Sequence, residues 1–433
     1  MTHTLFRTHA GQPGAGKRLS GMLFLCMLLM GIVSCGPPPT INTTSKIPLT
    51  LWYWKGSIND QLLKDAGKHF PMFALQTVTI GGNYDAKLRT TLAGQADVPD
   101  LVGIKPGIAT YFPDEDQFVD LYSLGARSLQ HQYLDWKWQQ GVTPDGRMIA
   151  FPMDTGPTAL YYRADLFKQA GLPTDPAAVS ARIATWDDFL KAAEQMKQAT
   201  NGKVYLTESI SSIFSNILGQ QGKSYFEPSG RYIGDQAHIK QAWDLAVKFH
   251  QLGLSPAIAA PPATDWNAAI TTGSLAAFVG AVWERKYLMQ GGPDTAGKWR
   301  VARTPGGDGN NGGSFLAITK YSQHPKEAFE LMTWLLSPQN QLRSFLKESL
   351  FPSTPSIFAS PQMSNPDPFF GRENISAIFT QSAAHVKPTY FGPDDGTVDS
   401  IMRAELENVD ALNKDPEVAW SDAQSEIQRE LSV

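Results

Sequence analysis

Aromatic side chains stand beside hydrogen-bonding ones at several loop positions: Trp54-Lys55, Tyr84-Asp85, Trp283-Glu284-Arg285 and Tyr390-Phe391. That pairing is what a polyhydroxylated ligand needs. Rings cover flat C–H faces, while charged or amide groups bond a rim of hydroxyls, most strongly where the side chain is charged. The chain holds 11 Trp and 13 Tyr, enough to line a cleft as well as a core. Lys105 and Asn311 are further polar candidates in loops. Each candidate has a plainer competitor. Lys55, Glu284 and Asn311 compete with ordinary solvated surface, and Tyr84, Asp85, Lys105 and Tyr390 rest on loop position alone. Trp54 competes with Trp52 and Tyr53, because neighbours along a strand face opposite ways, so one of the two tryptophans belongs to the core.

Other chemistries find less support. Residues 11–17 nearly spell G-x-x-x-x-G-K, but Arg18 stands where Ser or Thr should hold magnesium, and no strand precedes it. Residues 307–312 match G-x-G-x-x-G, but a polar loop follows rather than a helix. The eight histidines form no H-x-x-x-H pair and there is no C-x-x-C, so no metal or other cofactor is expected. No G-x-S-x-G elbow occurs.

The elements that would position these residues alternate strand and helix. Residues 47–52 form a strand candidate. Ser57 to Asp60 resembles a capping box, with Asp in place of Glu, and Ile58, Leu62, Leu63, Ala66 and Phe70 then recur at helical spacing until Pro71. Residues 76–80 read as a strand, 84–93 as a helix and 100–104 as a strand. Such alternation implies a parallel, helix-covered sheet, with ligands at the carboxyl ends of strands. That places Trp54-Lys55 and Lys105 at functional loops. Thr185-Trp186-Asp187-Asp188 starts a helix, 237–252 forms another, and Asp415-Pro416 reads as N-cap and N1 of a last one.

The first residues read as an export signal. Lys17 and Arg18 precede an apolar run over 19–33, short for a membrane span of about 20 residues but suited to a signal-peptide core. Val33-Ser34-Cys35-Gly36 resembles the bacterial lipobox, in which the cysteine takes a diacylglyceryl group (palmitate or a similar acyl chain) and becomes the mature N-terminus. The expected organisation is a lipoprotein signal peptide over 1–34 and a Pro-rich tether over 35–45. Cys26 lies within the segment to be removed, leaving Cys35 as the mature chain's one thiol. Removal also takes away Arg7, Lys17 and Arg18 and no acid. The formal charge of −4, less three cations, becomes −7. A mildly acidic surface without a basic block argues against nucleic acid, and against membrane attachment other than through the anchor.

Segments in order resemble the extracellular solute-binding proteins that include the maltose-binding protein. They are 98–102 (VPDLV), 146–154 (GRMIAFPMD), 158–167 (TALYYRADLF), 273–283 (GSLAAFVGAVW) and 324–340 (HPKEAFELMTWLLSPQN). The chain departs from the pattern at Arg163, where Asn is usual, and at Ala281-Val282, where Gly-Pro is common. The resemblance implies an α/β, two-lobed periplasmic-binding-protein fold with a hinge and an interlobe ligand cleft. Its lobes would be 46–154 plus 304–348 and 155–303 plus 349–433. It also implies a sugar-stacking role for Trp283 and a cleft-facing place at the hinge for Asp154, against a structural turn role. The expected function is binding of a carbohydrate, an oligosaccharide, and its delivery to the transmembrane permease subunits of an ABC importer. A monomer on the extracellular face of the cell membrane is expected, or on the periplasmic side if the cell has two membranes.

Two alternatives stay open. A secreted glycoside hydrolase could use Asp114-Glu115-Asp116 or Asp394-Asp395, since its two carboxylates can be distant in sequence. A receptor for a peptide or polyamine, or one feeding a sensor, is the other. A polyamine cleft would need several converging carboxylates, whereas the candidate loops mix both signs with aromatics.

Overall fold

The computed structural model describes residues 46–432. The expected signal peptide, Cys35 and the tether lie outside the described residues.

Two sheets organise the chain. The first has the order β2-β1-β3-β8-β4, with β1 Ile47–Tyr53, β2 Phe73–Thr79, β3 Leu101–Ile104, β4 Phe151–Pro152 and β8 Phe315–Ile318. The second has the order β6-β5-β7, with β5 Thr158–Arg163, β6 Ala277–Ala281 and β7 Trp299–Ala302. The fold is mixed α/β, with helices over both sheets. The expected parallel sheet is realised only where β1 pairs with β2 and β3. β8 returns antiparallel to β3, matching Leu101 with Ile318 and Ile104 with Phe315, and β5 pairs antiparallel with β6 and β7. The departure has a simple cause: β8 enters from the second sheet more than 150 residues later, so no βαβ crossover constrains its direction. β3 (LVGI) and β8 (FLAI) are buried throughout, as central strands must be.

Local signals set several helix starts. Thr185 accepts from Asp188 N at 3.1 Å and caps the helix Trp186–Ala199. Asp415 accepts from Glu417 N and Val418 N, both at 3.0 Å, and caps Pro416–Leu431. The expected box at Ser57 is displaced. Ser57 Oγ donates to Trp54 O at 2.7 Å, and Asn59 caps the helix Asp60–His69 instead, accepting from Gln61 N. A side chain spent on the strand's end cannot also cap the helix.

One core packs Leu49, Leu51, Phe151, Leu316 and Met332 around the first sheet. Another packs Leu160, Phe189, Phe214, Trp243 and Met402 against the second. Leu134, Trp136, Leu342 and Phe345, expected in the first lobe, pack with Tyr161, Phe278 and Trp299 of the second sheet.

Three segments cross between the sheets, and hydrogen bonds tie them together. Asn311 N donates to Gly156 O at 2.8 Å, and Gly156 N to Asn310 Oδ1 at 2.8 Å. Thr155 N donates to Phe351 O at 2.8 Å. A methyl group on Gly156 would overlap Asn311 O, so only glycine allows these strands to approach. No helix among the described residues is long and apolar enough to cross a membrane.

Candidate functional site

Loops that follow β3 and β6, where ligands of such sheets are expected, meet in a cleft of ≈ 490 Å³. Pro106, Gly107 and Thr110 come from the first sheet's side; Trp283 and Glu284 follow β6. The crossover loop brings Asn310, Asn311 and Gly312, and the segment before the helix Asp395–Leu412 brings Lys387 and Phe391.

Trp283 is half-buried in this cleft; its Nε1 donates to Asn311 O at 3.3 Å, and Tyr287 meets it edge-on at 5.7 Å. The indole is thereby fixed with part of its surface free. Glu284 also lines the cleft but is only 5 % exposed. Its Oε1 accepts from Ala281 N at 3.0 Å. Burial, and then the nearby Glu208 carboxylate, push its acid up to about 8. The sequence reading of Trp283, Glu284 and Asn311 as cleft residues thus falls on three positions that the fold brings together.

Other candidates lie elsewhere. Tyr84 is corrected to a core residue: it is 1 % exposed, and its hydroxyl donates to Gly103 O at 2.7 Å and Trp52 O at 3.2 Å. Trp54 packs edge-on against it at 5.1 Å, and neither Trp54 nor exposed Lys55 lines this cleft. Trp52 and Trp54 are both half-buried against the same cluster, so neither is wholly core. Asp85 and Lys105 pair at 2.8 Å in an adjoining recess of ≈ 590 Å³ that shares Gly107, Thr110 and Gly396 with the cleft. Tyr390 packs against the second sheet's core, while its neighbours Thr389 and Phe391 face the cleft.

Asp154 is corrected from a cleft-facing group to an internal brace. It is buried; its Oδ1 accepts from Ser314 N at 2.6 Å. Lys137, also buried, donates to Gly313 O at 2.7 Å and lies 3.5 Å from the Phe315 ring centroid. Burial lowers the Lys137 ammonium and raises the Asp154 carboxyl, and their mutual attraction opposes both shifts. Each side chain therefore holds the crossover backbone at Gly313-Ser314 from inside.

The sequence reading missed much of the cleft's polar wall. Glu208 lines it from just ahead of the helix Ile210–Gln221 and Ser215 and Asn216 from that helix's second turn; Ser209 caps the helix by accepting from Ser212 N. Glu208 and Asn216 are 3 % and 7 % exposed. Among the described residues, Glu208 Oε2, Ser215 Oγ and Asn216 Oδ1 have no hydrogen-bond partner. Buried polar atoms are normally satisfied, so these three are free to bond a group entering the cleft. Asp395 and Asp399 add carboxylates, but both are engaged. Asp395 accepts from Ser224 Oγ, Tyr225 N and Gly392 N, and burial still pushes its acid up to about 6. Asp399 accepts from Tyr225 Oη at 3.0 Å and pairs with Arg403 at 3.9 Å. Of the trio 114–116, Glu115 pairs with Arg147 at 3.2 Å and Asp116 with Lys320 at 3.4 Å, and none lines the cleft. No cluster of three or more His, Cys, Asp or Glu among the described residues could hold a metal ion.

Comparison with known proteins agrees with this architecture. The chain is 23 % identical over 379 residues to the lactose-binding protein of Rhizobium radiobacter, covering 83 % of this chain and 87 % of that one. Among solved structures, an extracellular solute-binding protein of family 1 superposes with a TM-score of 0.83 at 30 % identity, covering 88 % of this chain and 99 % of the other. The galacto-N-biose-/lacto-N-biose I-binding protein of a Bifidobacterium longum ABC transporter, in complex with lacto-N-biose, superposes with a TM-score of 0.76 at 20 % identity, covering 89 % and 97 %. The chain shares the two-lobed α/β fold of these structures, as the sequence pattern implies. Residues 64–370, well over half of the chain, match the bacterial extracellular solute-binding proteins, and the chain belongs to that family.

Proposed function

We propose that this chain is the saccharide receptor of an ABC importer and that the Trp283 cleft is its binding site. The observation that carries the reading is the set of bare polar atoms of Glu208, Ser215 and Asn216 in the cleft that Trp283 lines. A ring for a C–H face and inward acceptors for hydroxyls are the two halves of carbohydrate recognition. The cleft volume falls within the range of small-molecule sites, which fits a short oligosaccharide. The lactose-binding and lacto-N-biose-binding relatives support the class.

In this reading Asn311 and Glu284 contribute to the same site, and Asp85 and Lys105 flank it. The lobes are 46–154 plus 304–348 and 155–303 plus 349–433, with the stretches around Trp136 and Leu342 packed on the second sheet's side, and they close about the crossovers by a hinge motion. The protein acts as a monomer, delivers its ligand to the permease's transmembrane subunits and performs no reaction on it. Cys35 carries the lipid that holds it at the outer face of the cell membrane, and the Pro-rich 35–45 segment spaces it from the bilayer.

A polyamine receptor is the second reading, favoured by one observation: four carboxylates, those of Glu208, Glu284, Asp395 and Asp399, line the cleft. Two of them are engaged internally, and Trp283 is better suited to a sugar face. A melting-temperature screen separates the readings. A saccharide that raises the melting temperature, with spermidine and tripeptides silent, supports the first. The reverse pattern overturns it.

A further inference from the structure

We propose that the saccharide this cleft selects carries a protonated amino group, seated between Glu208 and Glu284 beside Trp283. The inference rests on the saccharide reading above and names the ligand's charge.

Among the described residues, no cationic side chain pairs with either acid. Arg285 is turned to Asp367 at 2.5 Å and Ser349 at 3.0 Å, Lys286 to Glu348 at 2.6 Å, and Arg403 to Asp399. Lys387 lines the cleft beside Gly222 without an ion pair to either carboxylate. On the neighbouring elements the Tyr161 hydroxyl donates to Ala281 O at 3.0 Å, and Asp395 and Asp399 are engaged as described. Two buried, uncompensated carboxylates in one wall are costly unless a proton or a ligand cation neutralises them.

The amide beside them points the same way. Asn216 Nδ2 donates to Ser212 O at 2.9 Å and Val279 O at 3.0 Å, two groups that can only accept. That fixes the amide's orientation and leaves Oδ1, an acceptor, as the bare end. Glu208 Oε2 is likewise a bare acceptor when ionised. A neutral sugar hydroxyl supplies one donor; an ammonium supplies three and the missing charge.

Burial raises both acids, and the Glu208 carboxylate pushes Glu284 further, to about 8, so near neutrality Glu284 keeps its proton in the unliganded cleft. Seating an ammonium there displaces that proton to solvent. Where one proton must leave, affinity rises up to tenfold per pH unit while the amine itself stays charged.

The test uses the purified full chain and matched pairs: glucosamine with glucose, galactosamine with galactose, and chitobiose with cellobiose. N,N′-diacetylchitobiose serves as an uncharged control. At least one amino sugar is expected to bind about tenfold or more tighter than its hydroxyl partner near pH 7. Titration calorimetry in two buffers of different ionisation heat should show proton release on binding. In Glu208→Gln and Glu284→Gln, which keep shape and remove charge, the ratio should fall to about one. The proposal is overturned if no amino sugar outperforms its neutral partner, or if the preference survives in the doubly substituted protein. Binding of neutral sugars without amine preference would leave the saccharide reading standing and remove this one. Binding of spermidine with every sugar silent would remove both.

Discussion

Replacing Glu284 with Gln should stabilise the unliganded protein at neutral pH. Glu284 is a raised acid in the folded state, about 8 against 4.5 in an exposed chain. Between those values the folded state binds more protons than the unfolded one, so stability falls as pH rises. The contribution is fully present below the unfolded value and is lost as pH climbs through the folded one. From 4.5 to pH 7 is two and a half units, worth roughly 3 kcal/mol at about 1.4 kcal/mol per unit. Gln does not titrate, and its side-chain oxygen can keep the bond from Ala281 N. The stability gap between variant and parent should therefore widen by roughly 3 kcal/mol between pH 4.5 and 7. With roughly 390 residues and about 2.1 cal/mol/K of unfolding entropy per residue, that is a melting-temperature gap of about 4 °C. Differential scanning calorimetry of both proteins at half-unit pH intervals reads it. Parallel pH profiles, or a variant that loses stability at pH 7, would refute the account of an uncompensated acid in the cleft.

The remaining predictions concern the crossovers and the anchor. Gly156→Ala forces a methyl into Asn311 O and should cost more than about 2 kcal/mol in urea unfolding; a neutral result would show that the crossovers tolerate separation. Asp154→Ala removes the buried acceptor of the Ser314 amide and should cost about 1–3 kcal/mol, whereas a loss under about 0.5 kcal/mol would mean the side chain is no brace. Cys35→Ala should move the protein from the membrane fraction to the soluble one with unchanged ligand affinity; retention in the membrane would refute lipidation at that residue.

What could be seen in the sequence divides by range. Thr185 and Asp415 announced their helices because capping is a contact within three residues. The antiparallel entry of β8 was invisible, since its direction depends on crossovers far away along the chain. Trp283 could be placed at the cleft because it ends a recognisable segment, whereas Asn311, which also lines it, had only a polar loop position to set it apart from solvated surface. Tyr84, at a helix start, and Asp154, just after a strand, misled for the same physical reason: polar tips can turn inward when backbone groups need partners. Glu208 and Asn216 were missed because an acid beside serines reads as solvated surface. The one available hint was Ser209, an N-cap that starts a helix and leaves the residue before it at the helix mouth.

The most direct test of the central claim is calorimetric titration of neutral and amino saccharides into the parent protein and into Trp283→Ala. The account predicts a saccharide that binds the parent, quenches or shifts its tryptophan fluorescence, and loses about tenfold or more of its affinity when the indole is removed. A saccharide that binds both proteins equally would move the site away from Trp283. Silence from every saccharide, with tight binding of a polyamine or peptide, would contradict the account outright.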